Sequence, residues 1–141
     1  MTPAGRPGAV RVVAGALFDP AGRVLIAERT AGRHMAGRWE FPGGKVVPGE
    51  SEAEALGREL REELGIEVLA SEHWMRLEHA YPDRRIELSL WRVQSYRGEA
   101  RALEGQRLKW VEPARLPEED LLEADLPFVT ALVQWAGLPT A

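Results

Sequence analysis

The chain has 141 residues, no cysteine and a formal net charge of −4, a length that suits one ordinary domain spanning residues 1–141. Without cysteine there is no disulfide framework and no thiolate metal site, so a bound metal would need oxygen or imidazole ligands. The negative balance argues against a broad electrostatic footprint for DNA or RNA. The apolar run that follows the Pro/Gly-rich opening MTPAGRPG is broken by Arg11, which excludes both a secretory h-region and a membrane span there. A cytoplasmic protein is expected, with residues 1–8 outside the folded part, no membrane association and no stable nucleic-acid partner.

VRVVAGALF (residues 10–18) and RVLIAER (residues 23–29) are apolar on both alternating faces, and DPAG separates them with turn chemistry; they read as the two buried strands of a hairpin. Residues 30–50 hold no period and are punctuated by Pro42, Gly43, Gly44, Pro48 and Gly49, which reads as a long ordered loop of the kind that often carries function. Ser51 with Glu54 three residues on forms a capping box, and Gly65 supplies a left-handed terminator, so a helix is expected over residues 52–64. Residues 67–77 read as extended, and Ile86, Leu88 and Leu90 alternate with Glu87 and Ser89 in a strand that ends near Gly98. A short strand follows at residues 108–111. Asp125 then stands as an N-cap before LPFVTALVQWA, where Phe128, Leu132 and Trp135 share a face of a last helix. Strands interleaved with two helices imply an α/β layered domain without internal repeats.

On the helix of residues 52–64, Ala53, Leu56, Leu60 and Leu64 fall on one arc of roughly 80°, with Glu59, Glu62 and Glu63 on an adjoining arc of about 100°. Like charges three and four residues apart each cost on the order of 0.2–0.5 kcal/mol, part of which Arg58 and Glu62 recover. A solvated charged face is the ordinary reading of such a stripe. An acidic stripe that borders the apolar one is also the place where a hard cation would neutralise the carboxylates, and oxygen-only ligation suits Mg²⁺ or Mn²⁺.

Gly44, Glu50 after five intervening residues, and after seven more the run Arg58-Glu59-Leu60-Arg61-Glu62-Glu63-Leu64-Gly65-Ile66 resemble an unbroken Nudix box. The resemblance extends in the same order through HMAGRWEFPGGK, YPDRR, EGQRLKW and ADLP to the MutT-like subgroup. It implies a mixed β-sheet sandwiched between helices and hydrolysis of a nucleoside diphosphate linked to some further group.

The resemblance also implies roles. Glu59, Glu62 and Glu63 with the Gly43 carbonyl would ligate the metal, Arg58 would orient a glutamate, and Glu50 would brace the loop. Glu59 is the expected general base, while Glu104, in EGQ, corresponds to a loop glutamate that binds metal or acts as base. In the turn Pro42-Gly43-Gly44-Lys45 small residues would let backbone approach metal and phosphate. Arg29, Lys45 and Arg84 are candidate phosphate or nucleoside contacts, and His34, Glu40 and Phe41 match positions that line the ligand. His73 and His79 read as packing or surface residues, Trp91 and Trp110 as strand core, and Trp39 adjoins the catalytic loop.

Asp125 departs from the pattern, because 8-oxoguanine-directed members place an asparagine there to pair with the purine edge. An ionised aspartate accepts hydrogen bonds and donates none, so reading a carbonyl would require protonation or a different base. Relatives with aspartate include cytidine triphosphate pyrophosphohydrolases. The leading expectation is a Mg²⁺-dependent pyrophosphohydrolase of oxidised deoxynucleoside triphosphates, acting as a monomer or small homo-oligomer. Pyrimidine triphosphates are the alternative substrate, and a non-catalytic nucleotide-binding Nudix domain is the alternative class.

Overall fold

The computed structural model describes residues 9–137; residues 1–8, expected outside the folded part, lie outside that range. In chain order it contains β1 (Ala9–Leu17), β2 (Val24–Glu28), β3 (Trp39–Glu40), β4 (Gly43–Lys45), α1 (Glu52–Leu64), β5 (Glu67–Tyr81), β6 (Arg84–Arg97) and β7 (Leu108–Val111), then two 3-10 helices, Pro113–Glu118 and Glu123–Asp125, and α2 (Leu126–Ala136). A four-stranded sheet runs β4-β1-β6-β5, with β1 and β6 parallel and the other pairs antiparallel. A three-stranded antiparallel sheet runs β3-β2-β7.

Two sequence expectations change here. β1 and β2 are strands, but they belong to different sheets and share only the isolated bridge between Phe18 and Val24. The centre of β1 is buried on both faces, so it lies inside a sheet, between β4 and β6, instead of in a local hairpin. The expected loop of residues 30–50 contains β3 and β4, which at two and three residues are too short to show a period. β4 pairs Gly43 with Ala14 and Gly44 with Val13, which pins the turn before the box to the central strand. β5 is also longer than expected, reaching Tyr81.

α1 forms over the residues its caps specify. Ser51 Oγ accepts the Glu54 N–H at 3.1 Å, Glu54 Oε1 accepts the Ser51 N–H at 2.9 Å, and Gly65 closes the helix at φ 71°. Such a cap stabilises by about 1 kcal/mol. Leu56, Leu60 and Leu64 are wholly buried against Val13, Leu17 and Val93 of the larger sheet and Leu25 of the smaller, contributing about 1.5–3 kcal/mol each. Ala53, expected on this face, is exposed, and Ala55 is buried in its place. The buried arc is therefore rotated toward Glu59 and Glu63, whose carboxyls are pressed into the protein instead of lying beside its edge. Glu52 fixes the first turn: its carboxylate accepts the Trp91 indole N–H at 3.0 Å and bonds from Arg76 at 2.5 Å and Arg11 at 3.4 Å, tying α1 to β6, β5 and β1.

A second core lies on the opposite face of the larger sheet, where Ala14, Ala16, Leu88 and Leu90 meet Val24, Ile26 and Val111 of the smaller sheet and Phe128 and Leu132 of α2. Trp135 shares their helical face but stays half-exposed, its ring 5.1 Å from Phe18 and 5.8 Å from Trp74. A mixed sheet thus stands between α1 and α2, as the sequence leads one to expect. Trp91 and Trp110 are only partly buried at the margin of the α1 core, a correction to their reading as strand core.

Candidate active site

The site is built where α1, β4 and the ends of the strands converge on a cleft of about 720 Å³, a size common for small-molecule sites. Arg58 organises one wall. Its Nε and Nη2 hold the two oxygens of Glu50 at 2.8 and 3.0 Å, its Nη1 reaches Glu59 at 3.0 Å and Glu62 at 3.4 Å, and its Nη2 also donates to the Lys45 carbonyl at 3.0 Å. All five guanidinium N–H donors are thereby directed to the loop–helix junction. These bonds, those to Glu50 first, push the guanidinium further above its ordinary range, and Arg58 in turn holds Glu50 below the usual carboxylate range. Glu50 braces the loop through this pair and through a 3.2 Å bond from the Val47 N–H.

Glu59 and Glu63 face the cleft with Glu104. Burial raises Glu59 above its ordinary value; the charges of Glu62 and Glu104 add to this and Arg58 opposes it. Glu63 is pushed up to about 8, by burial first and then by the charges of Glu59, Glu40 and Glu104, against one weak bond from the Gly43 N–H at 3.3 Å. A Cβ at Gly44 would displace the Glu59 carboxylate, so the glycine keeps open the space which that carboxylate fills.

The far end of the cleft has different chemistry. Glu40 bridges Arg29 at 2.6 Å and Arg33 at 3.2 Å, and Arg29 Nε also donates to the His34 carbonyl at 2.6 Å. The Tyr81 ring stands edge-on to His34 and His79, with centroids 5.6 and 4.6 Å away. Arg84 lines the cleft with its buried Nε lacking a partner among the described residues. Asp125 is 4% exposed and its Oδ2 accepts the Phe41 N–H at 3.4 Å. Burial, then the charge of Glu40, pushes its carboxyl up to about 8, against the Phe41 bond and Arg29.

Asp125 does not cap α2 as expected: it makes no capping bond and its backbone is already helical, at φ −88° and ψ −9°. The 3-10 turn of residues 123–125 leads directly into the helix, which leaves the carboxyl free to face the cleft. Of the residues singled out in the sequence, Arg29, His34, Glu40, Phe41, Gly43, Lys45, Glu59, Glu63, Arg84, Glu104 and Asp125 line this one cleft, while Pro42, Arg58 and Glu62 do not. Pro42 serves the fold, its carbonyl accepting the Gly15 N–H at 2.8 Å. Glu62 points outward, with over half of its side chain exposed. Trp39 is buried with cations over its ring: Arg107 at 5.4 Å and Lys109 at 5.0 Å from the centroid. His73 packs edge-on against Trp91 at 5.5 Å. Sequence reasoning did not single out Arg33, Tyr81 and Gln106 as lining residues; Arg33 directly precedes HMAGRWEF and Tyr81 opens YPDRR, so both were open to detection, whereas Gln106, inside EGQRLKW, carries no chemical signature of its own.

The Nudix domain family matches residues 13–131, which include every residue of the acidic wall. The chain belongs to the Nudix family. It is 41% identical to the CTP pyrophosphohydrolase of Escherichia coli K12 over 88% of this chain and 91% of that one. It is 35% identical to the 8-oxo-dGTP diphosphatase of the same organism over 87% of this chain and 95% of that one. Among solved structures, the E. coli ORF135 protein superposes with a TM-score of 0.82 at 38% identity, covering 96% of each chain. MutT, in a study of the enzymes of Aliivibrio salmonicida and Vibrio cholerae, superposes with a TM-score of 0.79 at 31% identity over 90% of this chain and 98% of that one. The protein is accordingly a Nudix hydrolase acting on phosphorus anhydrides, a family that generally uses a divalent metal.

The residues present fit such a metal by their donors. Glu63 and Glu104 have no ion pair among the described residues and line one wall with Glu59, whose single cationic partner Arg58 is shared with Glu50 and Glu62; all potential ligands on that wall are oxygen, and the Gly44 surface leaves room for the Glu59 carboxylate. Among the described residues no group of three or more Asp, Glu or His side chains is drawn together around a common point. No described helix is long and apolar enough to cross a membrane.

Proposed function

We propose that this Nudix hydrolase is a Mg²⁺-dependent nucleoside triphosphate pyrophosphohydrolase, with Mn²⁺ as a substitute, that converts oxidised deoxynucleoside triphosphates such as 8-oxo-dGTP to the monophosphate and pyrophosphate. In this role it works in the cytoplasm on the nucleotide pool, as a monomer or small homo-oligomer, and keeps damaged precursors out of DNA synthesis. The observation that carries the reading is the polarity of the cleft: Glu59 and Glu63 of α1 with Glu104 at one end, and at the other the buried carboxyl of Asp125, its pKa raised by that burial.

Bound divalent ions would be held by Glu59, Glu62, Glu63, Glu104 and the Gly43 carbonyl, and supply charge neutralisation for the phosphates and polarisation of the anhydride. The chain's own residues do the rest. Arg58 fixes Glu59 by its 3.0 Å bond in position to take the proton of an attacking water, the role of a general base. Arg29, Lys45 and Arg84 stand along the cleft where an anionic chain would run. A non-catalytic nucleotide-binding domain would have no use for a guanidinium whose five bonds tie Glu50, Glu59, Glu62 and the Lys45 carbonyl together.

At neutral pH a carboxyl with a pKa of about 8 is protonated and offers an O–H donor beside a carbonyl acceptor. It then presents what an asparagine amide presents, and pairs with the O6 acceptor and N7–H donor of an 8-oxopurine. The same pair of groups also complements the ring-nitrogen acceptor and N4–H donor of cytosine. With the 41% identity to a CTP pyrophosphohydrolase, this supports CTP and modified pyrimidine triphosphates as the second reading. Measuring kcat/KM for 8-oxo-dGTP, dGTP, CTP and dCTP side by side at pH 7 decides between them. A clear preference for 8-oxo-dGTP over dGTP and CTP is expected; CTP turned over faster than 8-oxo-dGTP would move the assignment to the pyrimidines.

A further inference from the structure

Among the described residues three polar side chains are buried, those of Ser89, Gln106 and Asp125, and Gln106 has no role in the reaction as set out above. Its amide spans two of the acidic positions. Oε1 accepts the Glu104 N–H at 2.9 Å, and Nε2 donates to the Glu63 carbonyl at 3.1 Å. The same stretch is laced to the last turn of α1 by its backbone: Leu103 N–H also reaches the Glu63 carbonyl at 3.1 Å, and Arg101 N–H the Leu64 carbonyl at 2.9 Å. These are carbonyls that a helix end leaves without intrahelical partners.

The clamp works against an electrostatic load. Glu104 lines the cleft with Glu59 and Glu63 and its charge acts on both carboxyls, so that ionised neighbours there repel until a cation arrives. Glu104 sits on an exposed turn next to Gly105 at φ 77°, where the backbone bonds to α1 end at Leu103 and the Glu104 N–H itself goes to the Gln106 amide. Glutamine is well suited to bridging the two segments, because it is neutral at every pH and one end accepts while the other donates.

We propose that Gln106 is a positioning residue, whose amide ties the Glu104 turn to α1 so that Glu104 stays beside Glu59 and Glu63 against their mutual repulsion. This rests on the catalytic reading above, and the test separates the two. Gln106→Met keeps the side chain's length and burial and removes both bonds. The parent, Gln106→Met, Glu104→Gln and the double variant form a cycle, read out as kcat and KM on the preferred triphosphate and as Mn²⁺ affinity by paramagnetic resonance. Gln106→Met should lower kcat about 10–100-fold, as loss of a supporting contact does, with KM unchanged. Because it acts through Glu104, adding it to Glu104→Gln should cost nothing further in kcat or Mn²⁺ affinity. Amide exchange at Glu104 should speed up about ten-fold or more in Gln106→Met.

Leu103→Ala is the control for general loosening of the turn, since it removes the side chain packed over Gly65 and leaves the amide clamp. Its effect should multiply with that of Glu104→Gln. The proposal is overturned if the losses from Gln106→Met and Glu104→Gln multiply, or if exchange at Glu104 is unaltered by Gln106→Met. A parent without turnover would refute the catalytic reading instead, and the Mn²⁺ cycle and amide exchange would still decide the clamp.

Discussion

Replacing Asp125 with asparagine should make the protein less sensitive to rising pH. The buried carboxyl has a pKa of about 8 in the folded chain against an ordinary value of 3.8, so between those values the native state holds a proton that the unfolded chain has released. Stability therefore falls as pH rises from about 4 towards 8 and levels off beyond, with a ceiling near 1.4 kcal/mol per pH unit. Between pH 5.5 and 7.5 the ceiling is about 3 kcal/mol, a large share of the roughly 5–15 kcal/mol that holds an ordinary domain together. Asparagine is neutral throughout and its carbonyl still accepts the Phe41 N–H. Charged neighbours Glu40 and Arg29, and Tyr81 opposite, are the same in both proteins. So is Glu63, whose raised pKa tilts both curves in the same direction and cancels in the difference. Urea unfolding in EDTA at pH 5.5, 6.5, 7.5 and 8.5 should show the two proteins close at the lowest pH and the variant gaining steadily to about pH 8. Parallel curves would refute the account of Asp125 as a buried neutral acid.

Other perturbations address the acidic wall and its brace. Glu63→Gln should lower turnover and weaken Mn²⁺ binding more than Glu62→Gln does, since Glu63 lines the cleft and Glu62 points outward; equal losses in a Mn²⁺ titration would contradict that order. Glu59→Gln should cost about 10²–10⁴-fold in kcat as loss of a general base, and near-normal turnover there with collapse in Glu104→Gln would transfer the base to the loop. Arg58→Lys keeps the charge but has three donors in place of the five-donor fork, so it should lower kcat and release Glu50, seen as faster amide exchange at Val47; full activity would show that the fork is dispensable. Asp125→Ala leaves the Phe41 N–H buried without its acceptor, a loss of about 1–3 kcal/mol, measurable at pH 5.5 where the ionisation cost is absent.

The parts of this molecule that were legible in its sequence are those whose causes are local. α1 begins and ends where Ser51, Glu54 and Gly65 place its boundaries, and the spacing from Gly44 to Ile66 is enough by itself to mark the acidic wall. Pairing was not legible, because strands buried on both faces, such as β1 and β2, lack the alternation that distinguishes a hairpin neighbour from a distant one. The helical arc was misjudged by about half a turn's breadth at its start, where Ala55 and not Ala53 meets the sheets, and that rotation is what turns Glu59 and Glu63, both half-buried, into the cleft. Asp125 has the residue type of a helix cap, and only the preceding 3-10 turn frees it to face the cleft. Arg33 and Tyr81 adjoin or belong to segments that the sequence marks, whereas Gln106 reaches α1 through a bond to Glu63 that is distant in sequence and that composition and spacing do not record.

The central claim is that the α1 carboxyls hydrolyse the anhydride of a nucleoside triphosphate so as to release pyrophosphate. The direct measurement is to resolve the products of 8-oxo-dGTP by ion-exchange chromatography after incubation with the purified protein, in Mg²⁺ and in EDTA, beside Glu59→Gln. The account predicts monophosphate and pyrophosphate in equal amounts with Mg²⁺, none in EDTA, and little from the variant. Orthophosphate with the diphosphate, or equal turnover in EDTA, would contradict it.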